Sequence, residues 1–189
     1  MREIKKFADK KIIIRSLSRE DLKHPEKFQK YINSLIKERN NFVTFKKLKT
    51  IGDEKSWIKN TLKLVESKKM VIRIAECKDK IIAEAAVMLL SERRDHIGEL
   101  GISVIKNYRG IGVGKYLISK IIDLAFKELC PKPEIIKLST VPKNKKAISF
   151  YKKLGFKKVA IIPDQIKMGN KILDETIMLL YKNIIDLTQ

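Results

Sequence analysis

The sequence has few of the residues that cross-link a chain or anchor it in a membrane. Its two cysteines, Cys77 and Cys130, lie far apart, with neither CxxC spacing nor paired histidines around them. We therefore expect buried free thiols and no disulfide framework, zinc site or other metal. No apolar run approaches the roughly 20 residues that cross a bilayer, and the charged start MREIKKFADKK lacks the apolar stretch of a secretory signal. The expectation is a soluble, cytoplasmic protein without a membrane partner.

Segments that would divide the chain are also missing. Five prolines and eight glycines are spread over 189 residues, with no Pro/Gly/Ser-rich linker, internal repeat or low-complexity tract. A hydrophobic content of 44% argues against disorder, and the length suits one full core. We predict a single domain, residues 1–189.

Acidic residues are in short supply relative to basic ones. The 42 basic and 22 acidic side chains give a formal net charge of +20, which suits an anionic cofactor, an acidic partner or nucleic acid. The excess is spread along the chain without a basic tail. Solvated lysine-rich surfaces are therefore the favoured interpretation, and nucleic acid is an allowed but less favoured partner.

Apolar periodicity predicts a mixed order of strands and helices. Seven strand-like runs are present: KIIIRSL, MVIRIAEC, KIIAEAAVMLL, HIGELGISVI, EIIKLSTV, KKVAII and KILDETIMLLYK. Four helices are predicted: residues 18–40 after a Ser18 cap, Asp53 to about Lys68, a helix after the glycines near residue 112, and KNKKAISFYKKLGF closed by Gly155.

The stretch NYRGIGVGKYL has three glycines at alternate positions, Gly110, Gly112 and Gly114, directly before a predicted helix. A helix amino terminus carries unpaired N–H groups and partial positive charge, and glycine allows an anion to approach that backbone closely. Arg109 and Lys115 add formal charge in the same turn. The pattern favours a pyrophosphate, although a tight strand-to-helix connection is the alternative for this stretch taken alone.

Two other phosphate-binding motifs do not fit these glycines. A P-loop has four residues between its glycines and then Lys followed by Ser or Thr. Here three residues separate Gly110 from Gly114, and Tyr116 follows Lys115. A dinucleotide fingerprint needs GxGxxG spacing and an acid for the ribose, and neither is present.

Two motifs together carry a family resemblance. RGIGVG fits the pattern R/Q-x-x-G-x-G/A, and NKKAISFYKKLGF, from Asn144 to Phe156, follows one helix and one strand later. With GELGISV before them, they closely resemble the GNAT superfamily of acetyl-CoA-dependent N-acetyltransferases, from about Met70 to Lys182. The resemblance implies a mixed, mostly antiparallel α/β sheet of about seven strands, flanked by about four helices and splayed between the fourth and fifth strands.

The resemblance also implies residues that hold acetyl-CoA. The pyrophosphate is expected on the loop from Arg109 to Lys115, mainly through backbone N–H groups, and the pantetheine arm on the exposed edge of the preceding strand, with Asn144 reaching the same arm. The implied cofactor-binding residues are Ile102, Ser103, Val104, Arg109, Gly110, Ile111, Gly112, Val113, Gly114, Lys115, Asn144 and Tyr151.

Acetyl transfer to an amine needs a proton acceptor for the ammonium and a proton donor for the departing thiolate. Tyr151 matches the family's general acid, with a core aromatic beside Phe150 and Phe156 as the alternative. Glu99 is the predicted base, directly or through a water, with a solvated or salt-bridged strand residue as the alternative. Glu84 is a weaker candidate.

Two further positions bear on the proton acceptor. Some family members carry a base on the strand after the phosphate loop, but this chain has Ser139 there. His96 is interpreted as structural.

The resemblance leaves the acceptor open. It implies direct attack in a ternary complex by a primary amine of a small molecule, an amino acid or a protein. Asp174 and Glu175, in a segment that would form one wall of the acceptor site, could attract a cation or be ordinary surface acids. The alternative function is a nucleic-acid-associated or regulatory protein acetyltransferase with a chromatin or ribosomal partner. The sequence also allows a homodimer.

Overall fold

A computed structural model describes residues 2–38 and 47–182. The strands are β1 (Arg2–Phe7), β2 (Lys10–Arg15), β3 (Met70–Cys77), β4 (Lys80–Leu89), β5 (Ile97–Val104), β6 (Ile135–Thr140), β7 (Lys157–Met168) and β8 (Lys171–Tyr181). The helices are α1 (Pro25–Lys37), α2 (Ile51–Glu66), α3 (Val113–Glu128) and α4 (Lys145–Lys153), with short 3-10 turns at Arg19–Lys23, Glu92–Arg94 and Lys106–Tyr108.

The eight strands form one sheet in the order β1-β2-β3-β4-β5-β6-β8-β7. Only β5 and β6 are parallel, and every other neighbouring pair is antiparallel. The predicted mixed, mostly antiparallel α/β sheet is confirmed. The strand missed from the sequence is β1, REIKKF, an edge strand that is mostly charged and leaves Ile4 65% exposed. It has no alternating buried face from which to predict it.

The first predicted helix begins later than expected. Arg19–Lys23 forms a 3-10 turn and α1 starts at Pro25, because proline disfavours helical geometry in the residue before it and is itself suited to the first helical position. Predicted helical residues 39 and 40 lie outside the described residues. The second helix starts at a reciprocal cap, in which the Thr50 hydroxyl accepts from the Asp53 N–H and the Asp53 carboxylate accepts from the Thr50 N–H.

Apolar side chains fill both faces of the sheet. Helices α1 and α2 cover one face, where Phe28, Leu35 and Ile58 are buried. Helix α3 and the chain around α4 cover the other face. There, the apolar stripe of α3 and the residue that follows it is buried except at Leu124, which is partly buried. The buried residues of this stripe are Val113, Leu117, Ile118, Ile121, Ile122 and Leu129.

The two cysteines differ in environment. Cys77 is buried in the core at the end of β3, as predicted, and Cys130 is exposed. The prediction of a buried thiol was wrong for Cys130 because α3 ends at Glu128 and the turn that follows buries Leu129 but not Cys130. Both thiols are free.

The sheet opens between β5 and β6. Their parallel pairing runs only from Ile97 opposite Ile135 to Glu99 opposite Lys137. Beyond these pairs β5 continues to Val104 and pairs only with β4, while β6 continues beside β8. These are the fourth and fifth strands of the prediction, since β1 adds one to the count, so the predicted splay is confirmed.

We predict that Gly98→Ala destabilises the closed end of this splay. A Cβ at Gly98 would lie 2.6 Å from Cγ1 of Val87 and 3.0 Å from Cδ1 of Ile136. We expect a loss of about 1–3 kcal/mol in the free energy of unfolding, measured by urea denaturation. Gly101→Ala on the same strand is the control, because nothing lies within 4 Å of its Cβ position. Equal stability of the two variants would contradict the prediction.

Candidate active site

The glycine-rich turn requires glycine at two of its three positions. Gly110 has φ +78° and Gly112 has φ +98°, both in the left-handed region that residues with a Cβ rarely adopt. Gly114 has no positive φ, and a Cβ there would make ordinary contacts with Val104 at 3.6 Å and Ile102 at 3.7 Å. The turn therefore needs Gly110 and Gly112 for its backbone shape, whereas Gly114 is not required by conformation.

The turn presents unpaired N–H groups at the start of α3. Gly112 is the helix N-cap, and its carbonyl accepts the first helical hydrogen bond, from the N–H of Tyr116 at 3.1 Å. The N–H groups of Val113, Gly114 and Lys115 therefore have no carbonyl partner within the helix. Together with the dipole of a 16-residue helix, this arrangement suits an anion.

Arg109 is less available than its position in the motif suggests. Its Nη2 forms an ion pair with Glu38 at 2.7 Å, and its Nε donates to the carbonyl of Val104 at 2.8 Å. Glu38 also accepts from the N–H of Lys106. The guanidinium thus ties the turn to the end of β5 and to the residue after α1. Lys115 is exposed and, among the described residues, forms no ion pair.

The strand that was missed from the sequence lies behind the turn. Phe7, the last residue of β1, has a ring atom 3.6 Å from the Cβ position of Gly112. Glu3 accepts from the Tyr116 hydroxyl at 2.8 Å, and Phe7 contacts the same tyrosine ring edge-on. Burial, together with the bond to Glu3, raises the pKa of Tyr116 to about 12. The hairpin of β1 and β2 therefore supports the first turn of α3.

In β5, alternate residues direct their backbone N–H and C=O groups to opposite sides of the strand. Ile105 donates its N–H to Ile82, and the carbonyl of Ile97 accepts from Leu90, so odd-numbered residues direct their backbone groups towards β4. Ile102 and Val104 then direct theirs towards the open edge, where β6 no longer pairs. Such an edge can hydrogen-bond an extended amide-containing ligand.

Ser103 belongs to a different contact. Its hydroxyl lies 2.6 Å from the Tyr31 hydroxyl, which also donates to the Ser103 carbonyl at 3.0 Å. Tyr31 is buried, and its burial and the negative charge of Glu84 raise its pKa. Ser103 therefore connects β5 to α1 on the face opposite to the glycine-rich turn.

A cleft of about 420 Å³ enters the splay and brings the predicted catalytic residues together. Tyr151, Glu99, Glu84 and Ser139 all line it. Its remaining walls are mostly apolar side chains and the backbone of β5: Met70, Ala86, Met88, Leu100, Gly101 and Ile102. Tyr151 and Glu99 were both predicted from the sequence, although no spacing between them indicated that they share a cavity.

Tyr151 combines the two interpretations of its sequence position. Its ring packs at 5.6 Å from the ring of Phe150 and 5.9 Å from that of Phe156, measured between centroids. Among the described residues its hydroxyl has no hydrogen-bond partner, and its side chain lines the cleft. Burial raises the pKa of Tyr151, so the phenol stays protonated at neutral pH and can donate a proton.

Glu99 lies at the last position of β5 that pairs with β6. On the other side of β5 it lies opposite Met88 of β4, and the register of these two strands is continuous from Ala83 to Leu89, without a bulge. Its carboxylate forms an ion pair with Lys137 at 3.4 Å, and its side chain is 42% exposed. Glu99 therefore forms a salt bridge, as in the alternative interpretation, and also lines the cleft, where a base would have to lie.

Glu84 is a carboxyl group of the cleft with a raised pKa. It lies on β4 opposite Ser103, half-buried, with the buried residues Ala83 and Ala85 on either side in the strand. Burial and, as a smaller contribution, the negative charge of nearby Glu54 raise its pKa to about 7. The raised pKa of Glu84 could not be predicted from the local sequence pattern, because Glu54 belongs to α2, which is distant in the chain.

Asn144 has a local structural role. It is the N-cap of α4, where its side-chain oxygen accepts from the N–H of Ala147 at 3.3 Å. Its amide nitrogen donates to the Thr140 hydroxyl at 3.3 Å. Helix capping therefore engages the side chain of the residue predicted to reach the pantetheine arm.

The other residues considered from the sequence lie outside the cleft lining. Asp174, on β8, accepts from the N–H of Asp164 on β7, and neither Asp174 nor Glu175 lines the cleft. The backbone carbonyl of His96 accepts from the N–H of Glu134, just before β6, and His96 does not line the cleft. Among residues 2–38 and 47–182, no group of three or more His, Cys, Asp or Glu could hold a metal ion, and no helix is long and apolar enough to span a membrane.

Comparison with known proteins identifies a matching family. The model of the Acetyltransferase (GNAT) family matches residues 33–156, which include the glycine-rich turn and Tyr151. This range covers the splayed strands, the cleft and both predicted motifs.

Solved structures share the fold at low sequence identity. A ribosomal-protein-alanine N-acetyltransferase from Brucella melitensis has 19% identity and a TM-score of 0.75, over 89% of this chain and 98% of its own. An acetyltransferase from Salmonella typhimurium, solved with its cofactor acetyl-CoA, has 18% identity and a TM-score of 0.74, over 90% and 93%. A spermidine N-acetyltransferase from Vibrio cholerae, solved with CoA and spermine, has 17% identity and a TM-score of 0.70, over 91% and 96%.

Proposed function

Because the chain belongs to the GNAT acetyltransferase family, we propose that this enzyme moves the acetyl group of acetyl-CoA to a primary amine by direct attack in a ternary complex. The observation that carries the proposal is the cleft in the splayed sheet, where Tyr151, Glu99 and Glu84 meet. The glycine-rich turn with its free N–H groups begins helix α3, which covers one face of the same sheet.

The residues present fit acetyl-CoA as the donor. In this proposal the turn from Arg109 to Lys115 holds the pyrophosphate through N–H groups at the start of α3, with the charge of Lys115 nearby. The open edge at Ile102 and Val104 pairs with the pantetheine amides. Ser103 supports the strand through Tyr31, and Asn144 orders the start of α4 beside the same site.

The chemistry proposed for the cleft removes two protons from the acceptor nitrogen and adds one to the departing sulfur. The acceptor ammonium loses a proton, directly or through a water, to one of the two carboxylates of the cleft, Glu99, the predicted base, or Glu84. The neutral nitrogen attacks the thioester carbonyl, the carbon–sulfur bond breaks, and the electron pair goes to sulfur. The Tyr151 hydroxyl then protonates or hydrogen-bonds the sulfur as charge develops on it. The second nitrogen proton restores the Tyr151 hydroxyl in the first case and passes to the sulfur in the second. No cysteine lines the cleft, so direct attack is favoured over an acetyl-cysteine intermediate.

The lining of the cleft favours a cationic amine with an aliphatic body. Two carboxylates, Glu84 and Glu99, supply negative charge, and Met70 and Met88 supply flexible apolar surface. Two of the structurally similar enzymes act on a ribosomal-protein alanine and on spermidine, as their names state. The two enzymes have similar sequence identity and structural similarity to this chain. The activity test should therefore include both a polyamine and a peptide with a free amino terminus.

The second candidate is a protein acetyltransferase with a nucleic-acid-associated partner, such as a chromatin or ribosomal protein. The net charge of +20 favours it. Counterion release makes nonspecific attraction fall steeply with salt. Tight DNA or RNA binding that persists at physiological salt would therefore promote this candidate.

We predict that the protein binds acetyl-CoA and releases free CoA thiol when an accepted amine is added. Calorimetry measures the binding, and a thiol reagent measures turnover with polyamines, free amino acids and peptides with an amino-terminal alanine. Reactions without an amine are the control for simple hydrolysis. Absence of cofactor binding would contradict the proposed function, and so would tight binding without turnover on any acceptor.

A further inference from the structure

Glu84 is a carboxylate to which residues 2–38 and 47–182 supply no neutralising partner. Its strand neighbours Ala83 and Ala85 are fully buried, and its partner on β3 is Ile74. In the part of the chain that the structure describes, no Lys, Arg or His forms an ion pair with it and no group donates a hydrogen bond to its carboxylate. A charged group in such surroundings normally has a partner, because its desolvation is otherwise uncompensated.

The described side chains that contact or lie opposite Glu84 and its neighbours are neutral or negative. Tyr31 of α1 uses its hydroxyl to bond Ser103, and Ser103 of β5 lies directly opposite Glu84. Glu54 of α2 is buried and adds negative charge, with its own pKa raised by burial and only partly offset by Lys49. The remaining exposed surface of Glu84 lines the cleft that also contains Tyr151. A cation that enters the cleft would therefore meet Glu84 without a competing partner from the described residues.

We propose that Glu84 is the carboxylate that receives the ammonium group of the acceptor and takes its proton before attack, with Glu99 drawing the cation into the cleft. The inference rests on the proposed acetyltransferase function. Glu99 is less suited to final proton transfer because Lys137 already pairs with it. Glu84 has no competing cation among the described residues and lies against the apolar part of the sheet.

The proton balance of the step is simple. One N–H bond of the ammonium breaks, its proton goes to a Glu84 oxygen, and its electron pair becomes the lone pair of the nucleophile. Nitrogen then bonds the acetyl carbon, the carbon–sulfur bond breaks, and the sulfur takes the hydroxyl proton of Tyr151. The second nitrogen proton passes to the Tyr151 oxygen and restores the phenol. After product release Glu84 returns its proton to solvent, so one proton is released for each amine acetylated.

A pH profile distinguishes Glu84 from Glu99. The ratio kcat/KM reports groups of the free enzyme, and Glu84 must be ionised to act, so the wild-type rate should rise with pH through about 7. Glu84→Gln should lose this rise and lower kcat/KM about 100-fold or more, with acetyl-CoA affinity unchanged. Glu99→Gln should weaken acceptor binding but keep the rise.

Glu54→Gln is the matched control, because Glu54 is a buried acid outside the cleft lining. This variant removes the repulsion on Glu84, so it should retain the plateau rate and move the rise to lower pH. Glu84→Asp keeps a carboxylate and should keep the rise at a reduced rate, which covers the case in which the glutamine variant does not fold.

Thermal unfolding provides a readout that does not depend on turnover. A carboxyl group whose pKa is higher in the folded than in the unfolded state stabilises the fold on protonation, so wild-type stability should increase as pH falls through about 7. Glu84→Gln should weaken this dependence and raise Tm above that pH.

Defined outcomes overturn the inference. A wild-type rate and pH profile in Glu84→Gln would exclude Glu84, and loss of the rise in Glu99→Gln alone would assign the proton transfer to Glu99. Failure of the proposed function is recognisably different, since the wild-type protein would then release no thiol with any amine.

Discussion

Tyr151→Phe is expected to lower kcat by about 100- to 10,000-fold, the range by which a positioned acid accelerates proton transfer. The change removes one hydroxyl and keeps the ring that packs between Phe150 and Phe156. The fold and the affinity for acetyl-CoA should therefore be almost unchanged. Steady-state kinetics with the best acceptor gives kcat, and calorimetry gives the affinity of the donor.

Tyr181→Phe is the matched control for this prediction. Tyr181 is an exposed tyrosine at the end of β8 and lies outside the cleft lining, so loss of its hydroxyl should leave kcat unchanged. If Tyr151→Phe retained full turnover, Tyr151 would be a core aromatic only and another proton donor would be required. Equal losses of turnover and acetyl-CoA affinity would indicate a binding role.

Gly112→Ala is expected to weaken acetyl-CoA binding by about tenfold or more. Gly112 has φ +98°, and a residue with a Cβ held in the left-handed region costs of order 1–3 kcal/mol. The backbone can relieve this strain by rotating, but rotation turns the first N–H groups of α3 away from the position proposed for the pyrophosphate. Calorimetric titration with acetyl-CoA measures the loss.

Gly169→Ala separates backbone strain from loss of binding. Gly169 also has a positive φ, +59°, but it lies in the turn between β7 and β8 and outside the cleft. The Gly169→Ala variant should lose stability and keep its affinity for acetyl-CoA. Gly114→Ala should lose less affinity than Gly112→Ala, because Gly114 has no positive φ. An unchanged affinity in Gly112→Ala would contradict the role proposed for the turn.

The fold followed closely from the sequence wherever a local pattern carried the information. Apolar spacing marked α3, and the splay between β5 and β6 came from the family resemblance. Strand β1 was not predicted, because it is held by its pairing with β2 and by its contact with Tyr116. The charged residues of β1 themselves indicate neither interaction. The start of α1 at Pro25 follows from a local rule, because proline suits the first helical position.

The candidate site was predictable in its parts and not in its electrostatics. Tyr151 and Glu99 were named from motifs and do line one cleft, although their roles remain predictions. The ion pair of Arg109 with Glu38 joins residues 71 positions apart, and no pattern in either segment indicates it. The same is true of Glu84, whose surroundings come from α1, α2, β3 and β5.

The sequence by itself determined the features that depend on neighbours along the chain: two glycines with left-handed backbone, the caps of α2 and α4, and the apolar face of α3. Only the tertiary structure decided which charges are paired and which are left without a partner. The reason is physical, because desolvation and Coulomb interactions act through space, so the protonation of a carboxylate such as Glu84 depends on what packs against it.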